Sequence, residues 1–176
     1  MAVSNKAKKV LNITVTVLVA AAVLLAVLLA GVRLFGLQPY TVISGSMEPT
    51  YHTGSLIYVK KVNPEEVAVG QAITFVLNED LTVATHRVIE IDEENQRFYT
   101  KGDANETADG APVHFKNLIG IPVFSIPYLG YVSNYIQNPP GLYVVIAAGA
   151  ALLLLMFLPE LLSVWHKEES ETEKQD

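Results

Sequence analysis

The composition of this 176-residue chain is too apolar for one small soluble core, because 51% of its residues are hydrophobic and its mean hydropathy is +0.32. Its formal net charge of −6 comes without a basic patch, which excludes nucleic acid as an expected partner. The absence of cysteine excludes disulfide bonds and thiol catalysis.

The first long apolar segment lies near the N-terminus. Residues 15–32 carry no charge, and such a run is long enough to cross a hydrocarbon layer of roughly 30 Å as a helix. A cleaved secretory signal is the alternative, since a lysine-rich stretch precedes the run. However, the run exceeds the usual apolar length of about 7–15 residues in such signals, and Ala20, Ala21 and Ala22 lie in its middle. The pattern favours a retained transmembrane anchor over residues 10–36.

The flanking charges predict the orientation of this anchor. Lys6, Lys8 and Lys9 precede the uncharged run of residues 15–32, whereas Arg33 is the cation that closely follows that run. Positive charge is usually retained in the cytoplasm. We therefore expect a basic cytoplasmic N-terminus over residues 1–9 and an extracytoplasmic location for the residues after the anchor.

The middle of the chain, residues 37–138, has the pattern of a small β domain. Its β-branched and aromatic residues form short runs separated by turn residues at positions 78–80, 93–95 and 102–103. No ten-residue segment has a helical period. The fold class predicted is mainly β, a small antiparallel domain, with strands at residues 55–62, 72–77, 83–92, 97–101 and 118–126.

A second apolar run covers residues 142–158 and contains no charge. Its length is at the lower end of the range for a membrane span, and a buried core helix is the alternative. Because the run has no polar face, a second transmembrane helix over residues 139–162 is the preferred prediction. The remaining residues, 163–176, are then an acidic cytoplasmic tail.

Serine and histidine are the candidate catalytic residue types in the middle domain. A serine hydroxyl needs a positioned base to become a nucleophile, and an imidazole base needs a carboxylate to orient it. Taken alone, Ser44-Gly45-Ser46 is more typical of a flexible turn than of a catalytic site. The sequence after Ser46 also lacks the G-x-S-x-G pattern of an α/β-hydrolase.

The histidines give no indication of a metal or cofactor site. His52, His86 and His114 are far apart in the sequence and have no zinc-ligand spacing. His52 has the surroundings of a turn residue, and His114 lies on a possible strand. We therefore expect no cofactor.

Three strings in a fixed order make the serine pattern more specific. They are S-G-S-M-E-P-T at residues 44–50, T-H-R-V at 85–88, and K-G-D-A-N at 101–105. A second aspartate, Asp109, lies six residues after Asp103. Together they resemble the type I signal peptidases, in particular the endoplasmic-reticulum type that archaea and some Gram-positive bacteria share. The resemblance covers the middle domain to about residue 131 and also the N-terminal anchor.

The resemblance implies a role for each matching residue. Ser46 matches the family's nucleophile, and the Ser44 hydroxyl with the Ser46 backbone N–H matches its oxyanion-binding groups. His86 stands where the endoplasmic-reticulum type has a histidine base and the bacterial type a lysine. Asp103 and Asp109 match the two acidic positions. We expect Asp109 to be the partner of His86 and Asp103 to be a supporting carboxylate.

The resulting hypothesis is an integral cell-membrane serine endopeptidase with its catalytic domain on the extracytoplasmic face. It would remove N-terminal signal peptides from exported preproteins after small residues, bound in shallow apolar pockets to which Ile43, Met47 and Val83 contribute. Its expected partners are preproteins, the lipid bilayer and the protein-export machinery. The alternatives are a noncatalytic membrane-anchored β domain that binds partners and a self-cleaving membrane sensor protease.

Overall fold

The computed structural model of the chain describes residues 5–77 and 82–172. It divides into two compact units, one formed by Leu28–Asn134 and the other by Met1–Val27 together with Tyr135–Asp176. The first unit contains the β domain, and the described part of the second is mostly helical. The hairpin connection predicted at residues 78–80 lies outside the described residues.

The first helix, α1, is Asn5–Leu29. Its window Asn12–Leu29 has 18 residues with a mean hydropathy of 2.6, and none of this window is buried inside the protein. The helix is therefore long and apolar enough to cross a membrane. A short 3-10 helix, Gly31–Phe35, follows it and ends at Gly36, whose φ of 74° is in the left-handed region that glycine adopts readily.

Within the described residues, seven strands form one sheet, and every pair of neighbours in it is antiparallel. The mainly β antiparallel fold predicted from the sequence is confirmed, and each of the five predicted strand segments contains a strand. Two further strands, Leu37–Thr41 and Val113–His114, were not predicted. The strands are β1 Leu37–Thr41, β2 Leu56–Lys60, β3 Ala72–Val76, β4 Val83–Asp92, β5 Arg97–Lys101, β6 Val113–His114 and β7 Leu118–Ile126.

The strand order is β1-β2-β7-β3-β4-β5-β6. The last strand in the chain, β7, therefore lies between β2 and β3 and joins two parts of the sheet. Two further 3-10 helices, Pro64–Glu66 and Phe115–Asn117, connect β2 to β3 and β6 to β7.

The core of the sheet consists of two clusters of buried apolar side chains. The larger one includes Phe75 and Phe98, both fully buried. Replacing either with alanine would cost about 3–5 kcal/mol of stability. The smaller cluster contains Tyr58, whose hydroxyl donates to the Leu28 carbonyl oxygen at 2.9 Å. This bond attaches the last turn of α1 to the sheet.

Helix α2, Leu129–Gln137, lies in the segment 37–138, where no helix was predicted. Its buried residues are Gly130 and Ser133, whereas Val132 is exposed. A Cβ on Gly130 would lie 2.4 Å from the Ser55 carbonyl oxygen, so the backbones approach closely there. A helix of nine residues is too short to establish a helical period, which needs a window of about 11–18 residues.

The second apolar run lies in helix α3, Gly141–Thr172, which continues into the predicted acidic tail. Its segment Gly141–Phe157 meets the length and hydropathy criterion for a membrane span only when it is joined with α2 as one interrupted span. The second transmembrane helix over residues 139–162 therefore stays a prediction.

Candidate active site

The Ser44–Ser46 segment forms part of a turn between β1 and β2. The Glu48 N–H donates to the Gly45 carbonyl oxygen at 3.0 Å, and the Tyr51 N–H donates to that of Met47 at 2.9 Å. The Met47 side chain is only 2% exposed. This burial anchors the turn, because exposing a methionine side chain would lose roughly 1.5–3 kcal/mol. Ser46 is thereby held next to an anchored residue.

His86 lies on β4 and reaches Ser46 across the fold. Its backbone is opposite Ile73 of β3, and the buried Phe75 ring contacts the imidazole edge-on, with ring centroids 6.3 Å apart. The His86 Nε2 atom is 3.1 Å from Ser46 Oγ, and its Nδ1 atom is 2.6 Å from Asp109 Oδ2. Since an ionised carboxylate only accepts hydrogen bonds, Nδ1 carries the proton and Nε2 is free to accept from Ser46.

Asp109 follows β5, and Thr100 holds it on two sides. The Asp109 N–H donates to the Thr100 carbonyl oxygen at 2.9 Å. The Thr100 hydroxyl donates to Asp109 Oδ2 at 2.6 Å. The Asp109 side chain is 20% exposed and that of His86 is 15% exposed, so water has limited access to their contact.

Asp103 lies near this chain of hydrogen bonds but binds a different residue. Arg87 Nε donates to Asp103 Oδ1 at 2.7 Å, and Arg87 Nη2 and the Thr50 hydroxyl both donate to Asp103 Oδ2 at 2.5 Å. The Arg87 hydrogen bond holds the pKa of Asp103 below its ordinary value, and the Asp103 hydrogen bond raises the pKa of Arg87. The structure thus brings Asp109, and not Asp103, into contact with His86.

The loop that contains both aspartates also touches the backbone of the serine turn. The Ala104 N–H donates to the Ser46 carbonyl oxygen at 2.9 Å. A Cβ placed on the buried Gly102 would lie 2.6 Å from the same oxygen. A side chain at this position would therefore displace the loop or the turn, which explains glycine immediately before Asp103.

Ser44 Oγ lies 3.2 Å from Ser46 Oγ. Both hydroxyls are therefore on the same side of the turn, as a pair of groups acting on one carbonyl would need to be. Of the other histidines, His52 Nδ1 pairs with Glu48 Oε2 at 2.5 Å, and His114 Nδ1 accepts from the Lys116 N–H at 3.1 Å. Both bonds hold local turns.

A cavity of about 540 Å³ opens beside Ser46 and His86. Ile43, Met47 and Val83, the residues predicted to form the substrate pockets, all line it. Burial raises the pKa of Tyr51, another lining residue, so its phenol is neutral at ordinary pH. Within residues 5–77 and 82–172, no group of three or more His, Cys, Asp or Glu side chains is placed to hold a metal ion.

Three residues that make these contacts had no role predicted from the sequence. Arg87 and Thr50 lie inside the strings T-H-R-V and S-G-S-M-E-P-T, and Thr100 immediately precedes K-G-D-A-N. Their positions next to the candidate residues were the available signal. Which carboxylate each one binds depends on loop geometry that the sequence does not give.

Several known proteins are similar to this chain in sequence. Signal peptidase I W of Bacillus subtilis is 44% identical over 87 residues, which cover 48% of this chain and 45% of that protein. The signal peptidase complex catalytic subunit SEC11C is 31% identical over 126 residues in both Rattus norvegicus and Homo sapiens, covering 65% of this chain and 65% of each relative.

The chain thus spans between 45% and 65% of the length of these relatives. The profile of one protein family, described as signal peptidase, peptidase S26, matches residues 14–122, which is more than half of the 176 residues. The chain belongs to the S26 signal peptidase family.

Proposed function

We propose that this protein is a membrane-anchored serine endopeptidase that removes N-terminal signal peptides from exported preproteins. The observation that carries the proposal is the continuous hydrogen-bond chain from Ser46 Oγ through His86 to Asp109, at the edge of a cavity of about 540 Å³. Family membership gives the reaction class. The geometry of these residues supports a chemical task for each of them.

Ser46 is the nucleophile in this mechanism. His86 Nε2 lies 3.1 Å from Ser46 Oγ, within the reach that a general base needs to remove the hydroxyl proton. As Oγ attacks the scissile carbonyl carbon, the proton moves to Nε2, and the imidazolium then gives it to the leaving amine. Asp109 accepts from Nδ1–H, which keeps the ring in the required tautomer and stabilises its charged form.

The oxyanion is bound by the Ser44 hydroxyl and the Ser46 backbone N–H. Ser44 Oγ is 3.2 Å from Ser46 Oγ, and a hydroxyl rotates to suit its acceptor. In the resting protein Ser44 therefore shares a hydrogen bond with the nucleophile. On attack it turns to the carbonyl oxygen, where one such donor contributes roughly a hundredfold or more in kcat.

The substrate is an extended peptide with small residues, commonly alanine, at the first and third positions before the cut. Ile43, Met47 and Val83 give the cavity apolar walls close to Ser46. Such walls bind a methyl side chain and offer no partner for a charged one. After hydrolysis of the acyl-enzyme, the signal peptide and the mature protein leave as separate products.

Membrane attachment brings the enzyme to its substrate. Helix α1 supplies an anchor, with residues 1–9 in the cytoplasm and residues 37–138 as the extracytoplasmic catalytic domain. Residues 139–162 form a second span and residues 163–176 a cytoplasmic tail. A signal peptide has an apolar segment followed by small residues at its cleavage site, so an enzyme in the same membrane meets that site at high local concentration.

The test is coexpression of the full chain with a preprotein in membranes, followed by the ratio of mature protein to precursor. We expect Ser46→Ala and His86→Ala to lower cleavage by at least about a thousandfold, as loss of a nucleophile or base does. His114→Ala is the matched control, because His114 bonds to the Lys116 N–H and not to Ser46. Wild-type cleavage by both Ser46→Ala and His86→Ala would rule out the mechanism.

A further inference from the structure

Thr100 is a buried polar residue that the mechanism does not yet use. It is the last-but-one residue of β5, opposite Val88 of β4, and it is 1% exposed. A hydroxyl without water contact must find a partner inside the protein or lose about 1–3 kcal/mol. Its partner is the carboxylate of Asp109 at 2.6 Å, the same group that binds His86.

The two donors to Asp109 meet at a single oxygen. Oδ2 accepts from the Thr100 hydroxyl at 2.6 Å and from His86 Nδ1–H at 2.6 Å. An oxygen of an ionised carboxylate accepts two hydrogen bonds, so both of its positions are filled. The direction of the Thr100 bond therefore limits the rotation of the carboxylate about its Cβ–Cγ bond, and that rotation sets where the His86 ring lies.

We propose that Thr100 is a positioning residue, which holds the Asp109 carboxylate so that His86 Nε2 faces Ser46. This inference rests on the proposed function and adds a supporting residue to the four that it uses, Ser46, His86, Asp109 and Ser44. Thr100 acts only through Asp109 and touches neither the substrate nor the reacting atoms. The chemical step should therefore suffer from its loss, and substrate binding should not.

The Thr100 hydroxyl can be removed without breaking the backbone contact between Thr100 and Asp109. The Asp109 N–H donates to the Thr100 carbonyl oxygen, which any residue at position 100 retains. Thr100→Val keeps the shape of the side chain and removes the hydroxyl alone. Thr100→Ser keeps the hydroxyl and removes a methyl group.

The protein also offers a matched control. Thr74 on β3 is likewise fully buried, and its hydroxyl bonds to the Thr85 hydroxyl at 2.8 Å rather than to Asp109. Thr74→Val thus removes a buried hydroxyl from the same sheet without touching the carboxylate. A general loss of stability would affect both valine variants, whereas loss of positioning would affect only Thr100→Val.

The kinetic test measures preprotein cleavage by the full chain in detergent micelles. We expect Thr100→Val to lower kcat by about tenfold to hundredfold with KM little changed. Thr100→Ser should recover most of that loss, and Thr74→Val should keep the wild-type kcat. Equal kcat for Thr100→Val and wild type, or equal losses in the two valine variants, would overturn the proposal.

A second readout does not depend on catalysis. In 15N-histidine-labelled protein, the proton shared by His86 Nδ1 and Asp109 should give a slowly exchanging signal that is absent from Asp109→Asn. We expect this signal to broaden or vanish in Thr100→Val and to persist in Thr100→Ser and Thr74→Val. An unchanged signal in Thr100→Val would overturn the positioning role even in a protein that cleaves no signal peptide, so this failure is distinct from failure of the proposed function.

Discussion

Asp103 and Asp109 are two carboxylates of one short loop, and consecutive residues of β4 bind them. Arg87 forms an ion pair with Asp103, whereas His86 shares a hydrogen bond with Asp109. Successive side chains on a strand point to opposite faces of the sheet. Asp103 is thus paired with Arg87, a permanent cation, and Asp109 is paired with His86, a group that can gain and lose a proton. Arg87 and His86 differ by only one position on β4. The partner, and not the residue type, distinguishes the two sites.

The largest effect that would test this contrast is the loss of activity in Asp109→Asn. The amide is neutral and cannot stabilise an imidazolium, so we expect kcat to fall by roughly a thousandfold or more. The melting temperature should stay close to that of the wild type, because Asn keeps an oxygen for the Thr100 hydroxyl. Cleavage assays and thermal melts of the same preparation measure both quantities. Wild-type kcat in this variant would remove Asp109 from the mechanism.

Asp103→Asn should show the opposite pattern, with lower stability and a smaller loss of kcat than Asp109→Asn. It leaves the Arg87 guanidinium without its anionic partner, which we expect to cost about 1–2 kcal/mol of stability, since Arg87 is 33% exposed and partly solvated. Denaturant unfolding of the two variants provides the comparison, with kcat measured under conditions where both are folded. A kcat loss as large as that of Asp109→Asn would show that the two carboxylates are not functionally distinct.

A smaller effect is expected from Arg87→Lys, which keeps the charge and changes its geometry. Arg87 bonds to both oxygens of Asp103 through Nε and Nη2. A lysine ammonium cannot reproduce this two-point contact. We expect a loss of about 1 kcal/mol or less, measured by the same unfolding method. A loss equal to that of Asp103→Asn would mean that geometry matters as much as charge.

The smallest expected effect is the pH dependence of the stability difference between wild type and Asp103→Asn. The pKa of Asp103 is lowered in the folded protein, chiefly by its hydrogen bond with Arg87. Its stabilising contribution is therefore fully present above the ordinary aspartate pKa of about 3.9 and is lost as the pH falls through the lower folded value. The stability gap between wild type and Asp103→Asn should be constant near neutrality and close in acid. A gap that widened below about pH 4 would contradict this sign.

The strands could be predicted from the residue types that fill them. Features that depend on single contacts could not be predicted from the sequence. A run dense in β-branched residues predicted β4 correctly, because such residues favour strands. Helix α2 was missed because it has only nine residues, fewer than the roughly 11–18 over which a helical period becomes clear. The partner of His86 could be ranked by resemblance only, since Asp103 and Asp109 are six residues apart in one loop.

The position of β7 in the sheet bears on when, during folding, the candidate catalytic residues come together. The serine turn precedes β2, and His86 lies on β4. In the sheet these strands are joined through β7, the last strand to be synthesised. Contacts between residues so far apart in the sequence form late in folding. A nascent chain that ends before residue 118 would hold all the candidate catalytic side chains and still lack the strand that brings them into register. Under the proposed function, such a chain would not cleave preproteins until β7 had joined the sheet.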